Sequence, residues 1–246
     1  MTADAAAIVT GHSRGIGAAI AEHLLGRDVA VMGVARGENA DLGKRFGPRL
    51  AQVRLDLGDA GTVARWLSDD AFLRFFDGRA NALLVNNAGV LQPIGPLETQ
   101  TPADVARAVT VNVAAALMFS AAFVGATART GERRILHISS GAASRAYAGW
   151  SVYCATKAAL DHHARAVSLD QTPALRICSI APGVVDTEMQ AEVRASSDTR
   201  FPDRERFVAM KREGRLLDPG ERGGAIVEFL LSRTFGAEPV TDLRAG

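Results

Sequence analysis

The chain has 246 residues, 48% of them hydrophobic and 22% charged, and its 28 basic and 27 acidic side chains leave a formal net charge of +1. A balance so close to neutral offers no broad electrostatic surface for nucleic acid or for an anionic membrane, so neither is expected as a partner. The cysteines, Cys154 and Cys178, form no CxxC pair, and the N-terminal residues lack the basic and apolar segments of a signal peptide. We therefore expect a cytoplasmic protein without structural disulfides.

Short apolar runs alternate along the chain with longer segments of helical period, which is typical of βαβ units. The short runs are rich in Val, Ile and Leu without polar alternation, which indicates a parallel sheet covered on both faces. We predict an α/β fold: one Rossmann-type domain over residues 1–246, with a doubly wound parallel sheet. The predicted strands are Ala6–Thr10, Val29–Val34, Leu50–Leu55, Ala82–Asn86, Arg134–Ile138 and Leu175–Ile180. The predicted helices are Ile16–Leu25, Ala60–Phe75, Ala103–Ala128, Ser151–Leu169 and Gly220–Ser232.

A glycine-rich turn, Thr10-Gly11-His12-Ser13-Arg14-Gly15-Ile16-Gly17, follows the first predicted strand and opens the first helix. Gly11 would allow the sharp turn, Gly15 a close approach of the backbone to a pyrophosphate, and Gly17 close packing of helix on sheet. The amides at the helix N-terminus favour negative phosphates. The spacing GxxxGxG differs from the more common GxGxxG, and a purely structural turn is the alternative.

The end of the second predicted strand bears on which nicotinamide cofactor the chain would use. An NAD site usually places a carboxylate there to bind the ribose 2′-hydroxyl. This strand ends Gly33-Val34-Ala35-Arg36 and has no carboxylate. Arg36 can bind a 2′-phosphate, and Arg14 can reach it from the glycine turn, so we expect NADP(H). The alternative is that both arginines are simply solvated.

The stretch from Val109 to Thr127 is almost entirely apolar and long enough to cross a bilayer. It contains Asn112 and has no flanking basic cluster, so we predict a buried helix with a subunit interface as a natural partner. The most polar stretch, Arg194–Arg206, is predicted to be a mobile surface segment.

Tyr153 and Lys157 lie four residues apart and would share one face of a helix. A buried ammonium beside a phenol would lower the pKa of that phenol and make it a usable general acid. Ser139 and Ser140 end the fifth predicted strand, where one hydroxyl could bind a substrate carbonyl. Each feature alone has a structural alternative: surface packing for the Tyr/Lys pair and a turn for the serines.

Six motifs together carry a family resemblance. They are Thr10-Gly11-x-x-x-Gly15-x-Gly17, Asn86-Asn87-Ala88-Gly89, Asn112, Ser140, Tyr153-x-x-x-Lys157 and Pro182-Gly183. In order and approximate spacing they resemble the short-chain dehydrogenase/reductase family, from Ala6 to about Thr187. The resemblance implies that Tyr153 protonates a carbonyl oxygen as hydride arrives, that Ser140 rather than Ser139 orients the carbonyl, and that Lys157 binds the nicotinamide ribose and tunes Tyr153. It also implies that Asn112 holds a water in the proton relay.

The resemblance further implies where NADP(H) would lie. Asp56 and Leu57 would meet the adenine, Asn86 to Gly89 would form the cofactor floor, and Pro182, Gly183 and Thr187 would bracket the nicotinamide. A purely structural role for Asn87 stays open. The cofactor residues predicted in this way, with the glycine turn included, are Gly11, Ser13, Arg14, Gly15, Ile16, Gly17, Arg36, Asp56, Leu57, Asn87, Ala88, Gly89, Tyr153, Lys157, Pro182, Gly183, Val185 and Thr187.

A finer resemblance involves the segments Tyr153–Asp161 and Ala181–Gln190, which are similar to the sepiapterin reductase and bacterial benzil reductase branch. That branch implies NADPH-dependent reduction of one carbonyl of a vicinal dicarbonyl compound, and a homodimer. The C-terminal segment from Pro239 lacks the V-D-G-G-like sequence that supports tetramers, which leaves a tetramer possible but less favoured. Asp242 falls roughly where pterin-reducing members bind substrate.

Two aromatic residues, Tyr147 and Trp150, could form a wall for a flat substrate, with simple packing as the alternative. A substrate flap is expected over about residues 187–215, ordering on binding. The histidines show no metal spacing, so no metal is expected. Two rivals to the carbonyl reductase remain: a 3-oxoacyl thioester reductase, and a non-catalytic NADP-binding redox sensor.

Overall fold

The central sheet has seven parallel strands in the order β3-β2-β1-β4-β5-β6-β7. The computed structural model describes residues 4–243, so the last three residues of the C-terminal segment and the first three of the chain lie outside the described residues. The strands are β1 (Ala5–Thr10), β2 (Ala30–Ala35), β3 (Leu50–Arg54), β4 (Asn81–Asn86), β5 (Glu132–Ile138), β6 (Leu175–Ala181) and β7 (Val240–Asp242). The predicted doubly wound parallel sheet is confirmed.

Helices cover both faces of the sheet. They are α1 (Gly15–Leu25), α2 (Ala40–Phe46), α3 (Ala60–Leu67), α4 (Asp70–Leu73), α5 (Pro102–Val109), α6 (Ala115–Ala126), α7 (Ser151–Leu169), α8 (Glu188–Ala195), α9 (Arg204–Arg212) and α10 (Pro219–Leu231). Short 3₁₀ turns occupy Gly47–Arg49, Leu97–Thr99 and Gly141–Ala143. One π turn, Thr110–Ala114, joins α5 to α6.

Two hydrophobic cores form because successive strand residues point to opposite faces of the sheet. Ala7 and Val9 of β1 pack with α1 and α10 in one core. Ala6 and Ile8 of the same strand pack in the other core with α3, α6 and α7. Both faces of β1 are buried along its whole length, which explains its continuous run of apolar residues.

The long apolar stretch is the helical segment Pro102–Ala126, which by length and composition alone could cross a membrane. Here α6 buries Phe119 and Phe123 completely in the second core. The rings of Phe123 and Phe76 pack edge to face, with centroids 5.3 Å apart. This packing is that of a core helix in a globular domain.

The fold departs from the predicted elements in several places. The predicted helix Ala60–Phe75 is divided into α3 and α4, because Ser68 ends the first and Asp69 precedes the second. Strand β7 and helix α2 were not predicted. The stretch Arg194–Arg206, predicted as a mobile surface segment, contributes to α8 and α9 and contains a fully buried phenylalanine, Phe201.

Candidate active site

A cleft of about 970 Å³ lies at the carboxyl ends of the strands, where the strand order reverses between β1 and β4. Except for Asn86, every residue predicted to bind the cofactor lines this cleft, from Gly11 in the first turn to Thr187 before α8. Ser140, Tyr147 and Trp150 line it as well. The fold thus brings the glycine turn and the Tyr/Lys pair into one cavity.

The glycine turn is built so that side chains are kept out of it. Gly11 has φ +72°, and a Cβ on it would lie 2.9 Å from Nδ2 of Asn87. A Cβ on Gly17 would overlap the carbonyl oxygen of Gly11. Helix α1 begins at Gly15 after Arg14, whose side chain makes no capping hydrogen bond. A bare backbone at a helix N-terminus suits the pyrophosphate of a dinucleotide, so these residues fit the expected cofactor.

Asn87 ties the glycine turn to the end of β4. Its Nδ2 donates to the carbonyl oxygen of Thr10 at 2.9 Å, and its backbone N–H donates to the Thr10 hydroxyl at 3.0 Å. The side chain therefore has the structural role left open above, although the residue also lines the cleft. The neighbouring Asn86 differs: it is buried and donates toward α6 and His137, so it does not form part of the cofactor floor.

Arginines surround the far end of the cleft. Arg36 is exposed at its edge, and its charge contributes to lowering the pKa of Asp56. The larger influence on that pKa is the hydrogen bond from the backbone N–H of Gly58, with Arg107 adding both a hydrogen bond and its charge. Arg14 forms an ion pair with Glu188, the first residue of α8. The side chains of Arg14 and Glu188 are 64% and 70% exposed, so the pair is weak and can open.

Tyr153 lies near the N-terminus of α7, with only 7% of its surface exposed. Burial raises the pKa of Tyr153 to about 12, and a side-chain hydrogen bond with Ser140 acts against the rise. The sequence-based expectation of a lowered pKa was therefore wrong: removing the phenol from water outweighs the hydrogen bond with Ser140. The phenol is protonated at neutral pH, which is the state that a proton donor needs.

Lys157 follows one helical turn later and is also buried, at 4% exposure. Its Nζ donates to the carbonyl oxygen of Ile138 at 2.8 Å and lies 5.7 Å from the centroid of the Tyr153 ring. Burial lowers the pKa of Lys157 to about 8, and the charge of Asp161 opposes the fall. The ammonium is thus fixed at the end of β5, beside the phenol.

Asn112 lies in the π turn and is 1% exposed. Its Nδ2 donates to the carbonyl oxygen of Val90 at 2.9 Å and to the hydroxyl of Thr156 at 3.1 Å. Its Oδ1 accepts from the Val90 N–H at 2.8 Å. Asn112 does not line the cleft directly but holds the loop after β4 against α7. Both amide hydrogens are used in this way, so only the second lone pair of Oδ1 remains to hold the expected water.

An aromatic cluster closes the other side of the cleft. The ring of Trp150 stacks on Phe201 at 4.3 Å between centroids and 11° between planes, and Tyr147 lies 5.2 Å from Trp150. Phe207 completes this cluster, and Arg206 donates to the Tyr147 hydroxyl at 3.3 Å. Packing within the domain therefore accounts for the burial of Trp150. Tyr147, Trp150 and Phe207 also contribute to the cleft wall.

Some residues at the cleft were missed by sequence reasoning. Gln92 donates to Glu192 of α8 at 2.7 Å, and both line the cleft. Met189 places its Sδ 4.0 Å from the Tyr153 hydroxyl. The Asp-Thr-x-Met-Gln run after Pro182-Gly183 was the available signal for Met189. A contact between residues 92 and 192 has no local signal, because it depends on how α8 crosses the cleft.

Asp242 is not brought to the cleft. It ends β7 and pairs in register with Ala181, and it is absent from the residues that line the cavity. Strand pairing with β6 fixes its position at the edge of the sheet. Its expected contact with substrate is therefore not supported by the geometry.

The described residues contain no group of three or more His, Cys, Asp or Glu side chains able to hold a metal ion. What the cleft offers is a protonated phenol, a hydroxyl bonded to it and an ammonium nearby, next to a glycine turn that suits phosphates. This arrangement can donate a proton to a carbonyl oxygen and stabilise the charge that develops there.

Comparison with known proteins agrees with this geometry. The pattern of the family described as short chain dehydrogenase matches residues 5–198. A benzil reductase, (S)-benzoin forming, from Bacillus cereus is 32% identical over 93% of this chain and 94% of its own length. A sepiapterin reductase from Meriones unguiculatus is 30% identical over 94% of this chain and 93% of its own length. Both relatives belong to the branch that the segments after Tyr153 and Ala181 indicated.

Solved structures add two further likenesses. A short-chain dehydrogenase/reductase from Burkholderia vietnamiensis is 51% identical, with a TM-score of 0.73 over 99% of each chain. A short chain dehydrogenase from Burkholderia cenocepacia J2315, solved in complex with NADP, is 27% identical, with a TM-score of 0.77 over 96% of this chain and 94% of that one.

Proposed function

The chain belongs to the short-chain dehydrogenase family of oxidoreductases, and we propose that it is an NADPH-dependent carbonyl reductase. The observation that carries the proposal is the presence of Tyr153, Ser140 and Lys157 in the same cleft as the glycine turn. A protein that only held the dinucleotide would not need a buried phenol, hydroxyl and ammonium around one cavity. This argues against the redox-sensor alternative.

Each of these residues has a separate role in the reduction of a ketone. Ser140 orients the carbonyl oxygen by a hydrogen bond, and Tyr153 donates its proton to that oxygen. When bound, the reduced nicotinamide supplies the hydride that the carbonyl carbon accepts, so that ketone, hydride and proton give an alcohol. Lys157, whose Nζ lies 5.7 Å from the ring centroid, stabilises the phenolate that Tyr153 leaves behind. Asn112 positions the loop after β4, and the free lone pair of its Oδ1 can hold a water that returns a proton.

The preference for NADPH is supported by the charges at the far end of the cleft. Arg36 stands at the end of β2, where a carboxylate would mark an NAD site. Arg14 lines the same cleft and becomes available when its ion pair with Glu188 opens. The NADP-bound Burkholderia cenocepacia structure supports the same cofactor. Asp56 does not oppose a phosphate strongly, because Gly58 and Arg107 already bind its carboxylate.

The substrate class that we propose is a vicinal dicarbonyl compound, of which one carbonyl is reduced. Its support is similarity to benzil reductase and sepiapterin reductase, together with the flat aromatic surface formed by Tyr147, Trp150 and Phe207. A 3-oxoacyl thioester is the alternative, because Arg206 at the cleft could contact an acidic carrier. We further propose that the protein is cytoplasmic and forms a homodimer, and sedimentation analysis tests the oligomeric state directly.

The test follows the absorbance of NADPH with benzil, aliphatic diketones, a pterin ketone and acetoacetyl thioesters, and then repeats the series with NADH. We expect diketones with NADPH to give the highest kcat/KM. Preference for the thioesters would replace the substrate class by the alternative. Tight NADPH binding without turnover of any carbonyl compound would favour the redox sensor and overturn the proposal.

A further inference from the structure

One buried carboxylate next to the site has no part in the chemistry proposed above. Asp161 lies on α7, one helical turn after Lys157, and is 8% exposed. The two side chains therefore share one face of the helix. The hydroxyl of Ser179 on β6 donates to Oδ1 of Asp161 at 2.7 Å. Burying a carboxylate is costly unless its charge is used or compensated, so this residue needs a reason for being there.

The surroundings of Lys157 provide that reason. Its Nζ donates to a neutral carbonyl oxygen, that of Ile138, at 2.8 Å, and the side chain is almost fully buried. Burial lowers the pKa of Lys157, and Asp161 is the charged group that raises it. Burial raises the pKa of Cys178 to about 12, and the charge of Asp161 adds to the rise. Its field thus reaches both β6 and the lysine.

Other titratable groups lie on the elements packed against α7. His137 of β5 is neutral, because burial, followed by the charges of His163 and Lys157, lowers its pKa to about 3. Tyr153 is a neutral phenol at physiological pH. Asp242 lies on β7, and Asp104 and Arg107 lie on α5 at the cleft.

We propose that Asp161, held in place by Ser179, is a positioning residue whose carboxylate keeps Lys157 in its charged form beside Tyr153. The catalytic consequence of this inference rests on the proposed function, whereas the titration that tests the inference does not. Ser179 matters because a fixed carboxylate acts on the lysine from one direction, whereas a mobile one would turn to solvent. Asp161 touches neither reacting atom and acts only through Lys157.

The direct test is the titration of the lysine itself. The chain has three lysines, Lys44, Lys157 and Lys211, so protein labelled with ¹³C at the lysine Cε gives a spectrum in which each can be assigned by substitution. Lys44 and Lys211 serve as internal references. In Asp161→Asn, which keeps the shape and the acceptor for Ser179, we expect the pKa of Lys157 to fall by about one unit or more. In Asp161→Glu we expect it to return toward the wild-type value.

An unchanged Lys157 titration in a folded Asp161→Asn protein would overturn the inference. Asp161→Ser is the second neutral variant, to be titrated if the asparagine variant does not fold. Asp170→Asn, an exposed charge change at the end of the same helix, is the control and should leave Lys157 unaffected.

The pH dependence of the kinetics measures the consequence of Asp161 for the reaction. The alkaline limb of the pH profile of kcat/KM should move to lower pH in Asp161→Asn, with activity near wild type on the acidic side of that limb. A uniform loss at every pH would assign Asp161 a purely structural role. Failure of the proposed function would look different: the Lys157 shift would persist while wild-type protein reduced no carbonyl compound.

Discussion

Tyr153 and Lys157 are both buried, and burial moves their pKa values in opposite directions, to about 12 and about 8. Each shift is away from the charged form, as expected in a medium less polar than water. The sequence placed both side chains on one helical face correctly. It could not give the sign of the phenol shift, because that depends on burial by residues such as Leu91 and Met189 from distant parts of the chain.

Arg36 provides a test of the cofactor preference. In Arg36→Leu we expect kcat/KM for NADPH to fall about 10- to 100-fold, because a charge-assisted phosphate contact contributes about 1.5–3 kcal/mol. The value for NADH should hardly change. Arg65→Leu, an exposed substitution on α3 outside the cleft, is the matched control. Equal losses with both cofactors would show that Arg36 does not recognise the 2′-phosphate.

His137 makes the stability of the domain depend on pH. It is fully buried, bonded to Asn86 at 3.2 Å and to His163 at 3.0 Å, with its pKa lowered to about 3 from 6.5 by burial. Between those two values the unfolded chain binds a proton that the folded chain does not, so stability is complete above 6.5 and declines as the pH falls toward 3.

Denaturant unfolding at pH 7 and pH 5 measures this effect. The wild type should lose about 2 kcal/mol more than His137→Gln over that interval. His12, whose pKa is also lowered, remains in both proteins and cancels in the comparison. Equal losses in the two proteins would mean that His137 takes up its proton in the folded state.

Among the elements, local sequence signals predicted those that depend on local contacts. The glycine turn and the beginning of α1 follow from residues adjacent in the chain, and the prediction was correct. The π turn around Asn112 was missed, because apolar periodicity does not distinguish one widened turn from a regular helix. Strand β7 was missed because three residues give too little pattern, and its place depends on pairing with β6.

Helices α8 and α9 show most clearly how far local sequence patterns can predict structure. The sequence of these helices and of the segment between them is highly charged, yet Val193 and Phe201 are fully buried and Phe207 nearly so. The burial of Phe201 depends on Trp150, which lies 51 residues earlier in the chain. A stretch of charged residues therefore resembles a surface loop until the partner of its few apolar side chains is known.

Phe201→Ala tests whether this stack holds α8 over the cleft. Loss of a buried phenylalanine removes about 3–5 kcal/mol of packing, and here the loss should loosen the α8 and α9 region rather than the sheet. We expect a raised KM for the ketone and faster amide exchange in α8 and α9, with unchanged exchange in the central strands. Phe76→Ala, in the second core, is the control: it should lower global stability without raising KM. Unfolding of the whole domain by Phe201→Ala would contradict this local role.

For the whole molecule, strand order decides where the chemistry takes place. The turn after β1, the loop after β4 and the end of β5 meet at one edge of the sheet because all the strands are parallel. This is why residues as distant in sequence as Gly11, Ser140 and Thr187 line one cleft. Apolar runs and motif order were sufficient to predict that convergence. They were not sufficient to place Asp242, whose position depends on strand pairing at the edge of the sheet.

The central claim is that the phenol of Tyr153 donates the proton, and the chain's two tyrosines allow a matched measurement. Tyr153→Phe and Tyr147→Phe each remove one hydroxyl from the same cleft, and both are compared with wild type for benzil reduction by NADPH. We predict a loss in kcat of about 10²–10⁴-fold for Tyr153→Phe, little change for Tyr147→Phe, and NADPH binding by fluorescence close to wild type in both. Turnover by Tyr153→Phe within about ten-fold of wild type would contradict the account.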